Sequence, residues 1–191
     1  GLKGLQLVTS DSHEGIIYGL SHVFPEVPWQ RCQYHFTRNI LDKTPKKYQE
    51  GLRSELQAMF NSPDLKTAIK KRDSILQDYN EIAPTAMECL DRGFNDSVTV
   101  MVIPESLRKI MRTSNHLERL NKELKRRSNV IGVFPNETSI IRLMGAVLME
   151  LNEKYEARVK PLFYHPVLHE LASIHDKLAK IAQEQQQTLA A

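Results

Sequence analysis

The chain has 191 residues, of which 41% are hydrophobic and 26% are charged, and its formal net charge is +3. This composition is typical of a globular domain with its own core, and the two cysteines, Cys32 and Cys89, exclude a disulfide framework and favour a reducing compartment. No apolar run is long enough to cross a bilayer and no signal-peptide pattern is present, so we expect a cytoplasmic protein without membrane contact. A strand pattern begins almost at once after Gly1, which indicates a segment of a longer protein.

The first 45 residues alternate between strand and helix patterns. Leu5–Ser10 is apolar and partly β-branched, which predicts a buried strand that ends at Asp11. A helix is expected over about Glu14–Phe24, since apolar residues recur on one face and prolines follow. Trp29–Phe36 is a second strand candidate, and it passes into a helix that ends before Pro45.

Helical periodicity dominates from residue 46 to residue 97. Asn61–Asp64 marks a turn, with Ser62 or Asp64 as the cap of the next helix. Val98–Ile103 is rich in β-branched residues and predicts a further strand, which Pro104 closes.

Three more helical patterns follow. A helix is predicted from Asn115 to Arg127, an apolar connector over Val130–Asn136, and a core helix over Ser139–Tyr155. A narrow apolar stripe then predicts either a short dimerising coil or a helix packed on its own domain. Its members are Leu168, Leu171, Ile174, Leu178 and Ile181.

Positive charge is concentrated between Arg108 and Arg127, and Glu118 lies inside this stretch. Helical spacing places Lys122 and Lys125 on the same face as Glu118, so a metal-binding carboxylate could lie beside cations that contact DNA phosphates. Asp11 follows a strand, at the end where open sheets present functional groups. Taken singly, Glu118 also fits a capping box with Asn115, and Asp11 also fits a helix N-cap.

Three blocks of sequence resemble the mutator-type transposases of bacterial insertion sequences, in their carboxyl-terminal part. The blocks are Val8–Gly15, Trp29–Asn39, and Arg112–Arg127 with its continuation to Leu151. The resemblance implies a ribonuclease-H-like core with an Asp-Asp-Glu triad, in which Asp11 is the second aspartate and Glu118 the glutamate. The first aspartate belongs on an earlier strand, and no acidic residue precedes Asp11 here.

The expected fold is therefore mainly α with a few strands, an α/β fragment with a partial ribonuclease-H-like core and a long helical insertion. We expect the partial core over 1–45, the insertion over 46–104, core helices carrying the glutamate over 105–160, and a final helix and tail over 161–191.

The resemblance implies cleavage and strand transfer of DNA at mobile-element ends, with Mg²⁺ or Mn²⁺ held by Asp11 and Glu118. The implied partners are the element ends, target DNA and further copies of the protein, in a nucleoid-associated setting. This chain alone is expected to be inactive, since it lacks the first aspartate. The residues expected to contact DNA are Arg112, Asn115, Arg119, Lys122, Lys125, Arg126 and Arg127.

Two other classes of function stay open. One is a non-catalytic DNA-binding or regulatory relic of a transposase, which would need the cations of the basic helix but neither carboxylate. The other is a purely structural helical module, which predicts no salt-dependent affinity for DNA.

Cys32 and His35 form half of a zinc-binding pattern. Cys89, His13 or His116 could complete it, but no spacing requires them to converge. We expect a structural or DNA-positioning role for Cys32 and His35 rather than a zinc site, and a core position for Trp29.

Overall fold

A computed structural model describes residues 3–158, 170–171 and 173–190. These residues are mostly helical and include a small sheet of two parallel strands. The chain forms two compact units, Gly1–Thr113 with Val167–Ala191, and Ser114–Pro166. The expectation of a mainly helical chain with few strands is confirmed.

The sheet of the first unit consists of β1 (Val8–Ser10) and β2 (Trp29–Arg31), in parallel register with Val8 opposite Trp29. Both strands are shorter than predicted, because pairing begins only at Val8 and helix α2 (Gln33–Asp42) begins two residues after Arg31. Helix α1 (Glu14–Val23) connects the strands, as the sequence predicted.

Together with α2, three further helices form the main core of this unit. They are α3 (Gln49–Phe60), α4 (Leu65–Tyr79) and α5 (Pro84–Ser97), and a 3₁₀ turn at Lys46–Tyr48 precedes them. Asp64 caps α4 as predicted, since its carboxylate accepts a hydrogen bond from the Thr67 N–H at 2.8 Å. Phe36, Leu56, Leu90 and other buried side chains from α2 to α5 make one apolar cluster.

The strand predicted at Val98–Ile103 is wrong, because Thr99–Val102 forms a 3₁₀ helix. It is hydrogen-bonded to residues of β2 through one backbone N–H and one side-chain hydroxyl, rather than paired with another strand. The Val100 N–H donates to Gln30 Oε1 at 2.8 Å, and Thr99 Oγ1 donates to the Trp29 carbonyl at 3.0 Å. These buried tertiary contacts override the β-propensity of the segment.

A smaller apolar cluster joins this 3₁₀ helix to α6 (Glu105–Met111) and to a C-terminal helix, α9 (His175–Ala190). Leu178 is buried there beside Leu7, and Leu171 and Ile174 pack against the cluster. The predicted apolar stripe thus packs on its own unit, although Leu168 lies outside the described residues.

The second unit contains α7 (Asn115–Ile131) and α8 (Glu137–Glu156). Helix α7 extends beyond its predicted end at Arg127 and into the predicted connector. It stops at Gly132, whose φ of 74° suits a residue without a side chain. Asn136 caps α8 by accepting the Ser139 N–H at 2.9 Å.

In the described parts of the chain, no helix combines the length and the apolar character needed to cross a membrane.

Candidate functional site

Asp11 lies in the first unit, directly after the carboxyl end of β1, and is exposed to solvent. The alternative that Asp11 caps α1 is wrong, because the cap is His13, whose Nδ1 accepts the Gly15 N–H at 3.2 Å. The Asp11 carboxylate receives no hydrogen bond or ion pair from the described residues of the first unit. An exposed carboxylate at a strand end is a suitable ligand for a hard cation.

Glu118 lies in the first turn of α7 in the second unit, and is also exposed. Ser114 precedes this helix as its cap residue, and its hydroxyl donates to Glu118 Oε1 at 2.6 Å. The Glu118 N–H in turn donates to the Ser114 carbonyl at 3.0 Å. The carboxylate therefore turns back to the helix start, as the capping alternative proposed, but its partner is Ser114 rather than Asn115.

The basic residues of α7 fall into two groups. Arg126 and Arg127 both donate to Glu123, at 2.7–3.0 Å. These hydrogen bonds lower the pKa of Glu123 to about 2. Arg127 also reaches Glu150 of α8, with 3.3 Å between Nη2 and Oε2.

Arg119, Lys122 and Lys125 are exposed, and none of them has an ion pair among the described residues of the second unit. Asn115, the first residue of the helix, is half-buried. Thus three of the predicted DNA contacts present their charge to solvent, while Arg126 and Arg127 already neutralise a carboxylate.

Arg112 belongs to the first unit, just after α6, where its Nη1 donates to Asn61 Oδ1 at 2.7 Å. The backbone around it is tied to the sheet. Thr9 Oγ1 donates to the Met111 carbonyl at 2.6 Å, and the Gln33 N–H donates to the Arg112 carbonyl at 3.0 Å. The end of α6 is therefore fixed beside the end of β1 and the start of α2.

Cys32 and His35 lie at the start of α2, immediately after β2. The Cys32 side chain is fully buried, and its sulfur lies within 4.8 Å of a His35 ring nitrogen. Within the described part of the first unit, neither Cys89 nor His13 joins them in a group that could hold one ion. Their structural or positioning role stays a prediction.

Sequence reasoning missed a set of buried polar residues in and around β2. Gln30 is fully buried, and its amide nitrogen donates to the Ser97 carbonyl at 2.7 Å. Burial lowers the pKa of the nearby Arg31, and burial raises that of Asp96, although each charge favours the other. The only signal in the sequence was the run Gln30-Arg31 between Trp29 and Cys32, which is unusually polar for a buried strand.

Comparison with known protein families shows to which family this chain belongs. The family model described as "Transposase, Mutator family" matches residues 1–158. The chain belongs to the Mutator family of transposases. The recognition made from the three sequence blocks is confirmed.

Several named transposases are similar to the chain. The transposase for insertion sequence element IS256 in transposon Tn4001 of Staphylococcus aureus is 38% identical over 157 residues, which are 81% of this chain and 40% of that protein. The transposase for IS1081 of Mycobacterium tuberculosis is 35% identical, over 81% of this chain and 37% of that protein. The transposase for IS406 of Burkholderia multivorans is also 35% identical, over 87% of this chain and 43% of that protein.

The chain thus spans about two fifths of the length of these relatives. The family match ends at residue 158, so helix α9 lies beyond it.

Proposed function

We propose that this chain is the carboxyl-terminal part of a transposase catalytic domain, which cuts DNA at the ends of a mobile element and joins them to target DNA. The observation that carries the proposal is the exposed Asp11 carboxylate at the end of a parallel strand, in a chain whose family match also covers the Glu118 helix. Asp11 and Glu118 would be the second and third acids of an Asp-Asp-Glu triad.

The proposed fold is the later part of a ribonuclease-H-like core, with α3 to α5 as the helical insertion. In the described chain, β1 has a neighbouring strand on one side only. Its other edge is where an earlier strand, bearing the first aspartate, would pair. Supplying that strand in parallel orientation would bring a further carboxylate beside Asp11, to the carboxyl end of the same sheet.

The residues fit Mg²⁺ or Mn²⁺, because Asp11 and Glu118 both offer hard oxygen ligands and both are exposed. When bound, such ions would activate an attacking oxygen and stabilise the leaving one. The attacking group is water in donor cleavage and a DNA 3′-hydroxyl in strand transfer, so no covalent link to the protein is needed.

The other groups of the site position DNA and the glutamate. Lys122 and Lys125 share the face of α7 with Glu118 and present exposed charges that suit phosphate contacts. Ser114 holds the Glu118 carboxylate through its hydroxyl, which can rotate to release it. The transposition reaction itself is expected to require several copies of the protein.

Metal binding by the chain tests this proposal. Titration calorimetry with Mn²⁺ should show binding that Asp11→Asn and Glu118→Gln each weaken strongly. The double variant should be little worse than either single variant, because one shared site is lost only once. Additive, independent losses would contradict a shared site.

A longer polypeptide tests the reaction. Adding an upstream segment with the first aspartate should give Mg²⁺-dependent cleavage of element ends, and Glu118→Gln should abolish cleavage while DNA affinity is kept. Cleavage that persists in Glu118→Gln would refute its role. DNA binding by a chain whose two carboxylates bind no metal, with no cleavage by the longer polypeptide, would instead favour a non-catalytic relic.

A further inference from the structure

A cleft in the first unit combines the chemical groups that recognise an unpaired nucleotide. Its volume is about 260 Å³, and helices α2 and α3 and the end of α6 form its walls. Six of the lining residues are Tyr34, Thr37, Arg53, Gln57, Phe60 and Arg112. Of these six residues, only Arg112 was expected from the sequence to contact DNA.

The two cations of the cleft come from different elements. Arg53 is exposed on α3 and has no ion pair within the described residues of the first unit. Arg112 follows α6 and donates to the neutral side chain of Asn61, so its charge is not neutralised by that contact. Arg38 of α2, by contrast, is paired with Asp42 at 3.7 Å and does not line the cleft. Two uncompensated guanidinium groups suit a phosphate or two successive phosphates.

An aromatic ring and an apolar floor accompany these charges. Tyr34 is 52% exposed, so about half of this large aromatic side chain is open to solvent at the cleft. Phe60 is buried and contributes the floor, while Thr37 and Gln57 offer hydrogen-bonding groups. Nucleobases stack on exposed aromatic rings, and the edges of a base form hydrogen bonds with hydroxyl and amide groups such as these.

The size of the cleft limits what it can hold. It is smaller than the roughly 300–1,000 Å³ sites that enclose drug-sized ligands, so one base with its phosphate is a better fit than a larger molecule. Bases inside a duplex have both faces covered by their neighbours. A base must therefore leave the stack to reach Tyr34.

We propose that this cleft binds one unpaired nucleotide of a DNA strand, with the base stacked on Tyr34 and the phosphate held by Arg53 and Arg112. The inference rests on the proposed function for its choice of DNA as the ligand. The cleft lies wholly in the first unit, and neither Asp11 nor Glu118 is among its lining residues.

The test compares single-stranded and duplex forms of one fluorescein-labelled oligonucleotide by anisotropy with the whole chain. Tyr34→Ala should weaken single-strand binding by roughly five- to 150-fold, the range expected for loss of one stacked base. Duplex affinity should be unchanged. Tyr34→Phe should retain single-strand affinity, because it keeps the aromatic ring. Arg53→Ala should lower the salt slope of single-strand binding by about 0.7, the value for one phosphate contact.

Tyr18 provides the matched control, since it is 67% exposed on α1 and does not line the cleft. Tyr18→Ala should bind like the unaltered chain, and circular dichroism should show that each variant keeps its helices. Unchanged single-strand affinity in Tyr34→Ala, or an equal loss in Tyr18→Ala, would overturn the nucleotide cleft.

The two proposals fail in different ways. Duplex binding with no effect of Tyr34→Ala on single strands overturns the cleft alone. A chain that binds neither form of DNA at low salt overturns both the cleft and the assignment to DNA. If Asp11→Asn and Glu118→Gln leave Mn²⁺ binding unchanged, the proposed metal site is overturned and the cleft is unaffected.

Discussion

The side-chain amide of Gln185 is bonded to the backbone of Trp29 as a neighbouring strand would be. Its Oε1 accepts the Trp29 N–H and its Nε2 donates to the Trp29 carbonyl, both at 2.8 Å. Nε2 also donates to Asp96 Oδ1 at 2.9 Å. Helix α9, which lies beyond the family match, thereby closes the outer edge of β2.

Gln185→Ala should lower the free energy of unfolding by about 1–3 kcal/mol, because it leaves buried polar groups of Trp29 without these partners. Urea denaturation measures the change. Gln187 is exposed on the same helix, and Gln187→Ala should have little effect. Equal stability of the two variants would show that the contact does not hold α9 in place.

Gly93 permits a close approach of α5 to Arg31 of β2 and Phe36 of α2. A Cβ atom there would lie 2.5 Å from Phe36 Cε2 and would also meet Arg31 Nη1. Gly93→Ala should therefore destabilise the protein by about 1–3 kcal/mol through overpacking.

Gly19 is the control for this substitution, since a Cβ in its place on α1 meets nothing within 4 Å. Gly19→Ala should stabilise the protein by about 0.5–1 kcal/mol, because alanine favours the helix. The midpoint temperatures of thermal unfolding of the two variants should shift in opposite directions from that of the unaltered chain. A shift in the same direction would argue against the packing described for Gly93.

Tyr79 makes the stability of the folded protein depend on pH in the alkaline range. Burial, followed by its hydrogen bond to Glu55 at 2.9 Å, raises the pKa of Tyr79 from 10.0 to about 12. Because the folded pKa exceeds the unfolded one, this contribution to stability is complete below about pH 10 and is lost as pH rises towards 12.

Tyr79→Phe should cost about 1 kcal/mol near neutral pH and should remove part of the alkaline loss of stability. The difference between the two proteins in urea denaturation should therefore narrow with rising pH. Tyr48→Phe, at a partly exposed site, is the control and should leave the free energy of unfolding at neutral pH nearly unchanged. A constant difference across the alkaline range would contradict the raised pKa.

The exposed lysines of α7 should contribute more to DNA binding than Arg127. Lys122→Ala and Lys125→Ala should each reduce the salt slope of duplex binding by about 0.9, the value for one phosphate contact. Arg127→Ala should reduce it less, because this guanidinium is shared between Glu123 and Glu150. Anisotropy titrations over a range of salt concentrations measure these slopes. An equally large effect of Arg127→Ala would contradict the distinction between the exposed lysines and the paired arginine.

Local sequence signals predicted much of the architecture. The cap at Asp64, the helix before Pro45 and the apolar periodicity of α8 are all encoded within a few residues, and the structure contains each of them. Asp11 at a strand end was also predictable, because the apolar run before it and the break after it are local. Local patterns reach no further than the element that carries them.

The errors arose where distant residues decide the local structure. Val98–Ile103 has strand propensity, yet Gln30, some 70 positions away, binds its backbone and favours a 3₁₀ helix. The contact between Gln185 and Trp29 spans 156 positions and leaves no periodic trace in the sequence. In the candidate site, the hydroxyl of Ser114 replaced Asn115 as the capping partner of Glu118, since a shift of one residue at a helix start is not encoded in the capping pattern.

The central claim is that Asp11 and Glu118 hold the same metal centre, and iron-directed cleavage of the backbone tests it most directly. Fe²⁺ in place of Mg²⁺, with hydrogen peroxide as the oxidant and ascorbate to reduce Fe³⁺ again, generates hydroxyl radicals that cut the chain beside bound iron, and mass spectrometry locates the cuts. We predict cuts near both residue 11 and residue 118, which excess Mg²⁺ suppresses and which Asp11→Asn or Glu118→Gln removes at both positions together. Cuts at only one of the two positions, or cuts at one that survive substitution of the other, would contradict a shared centre.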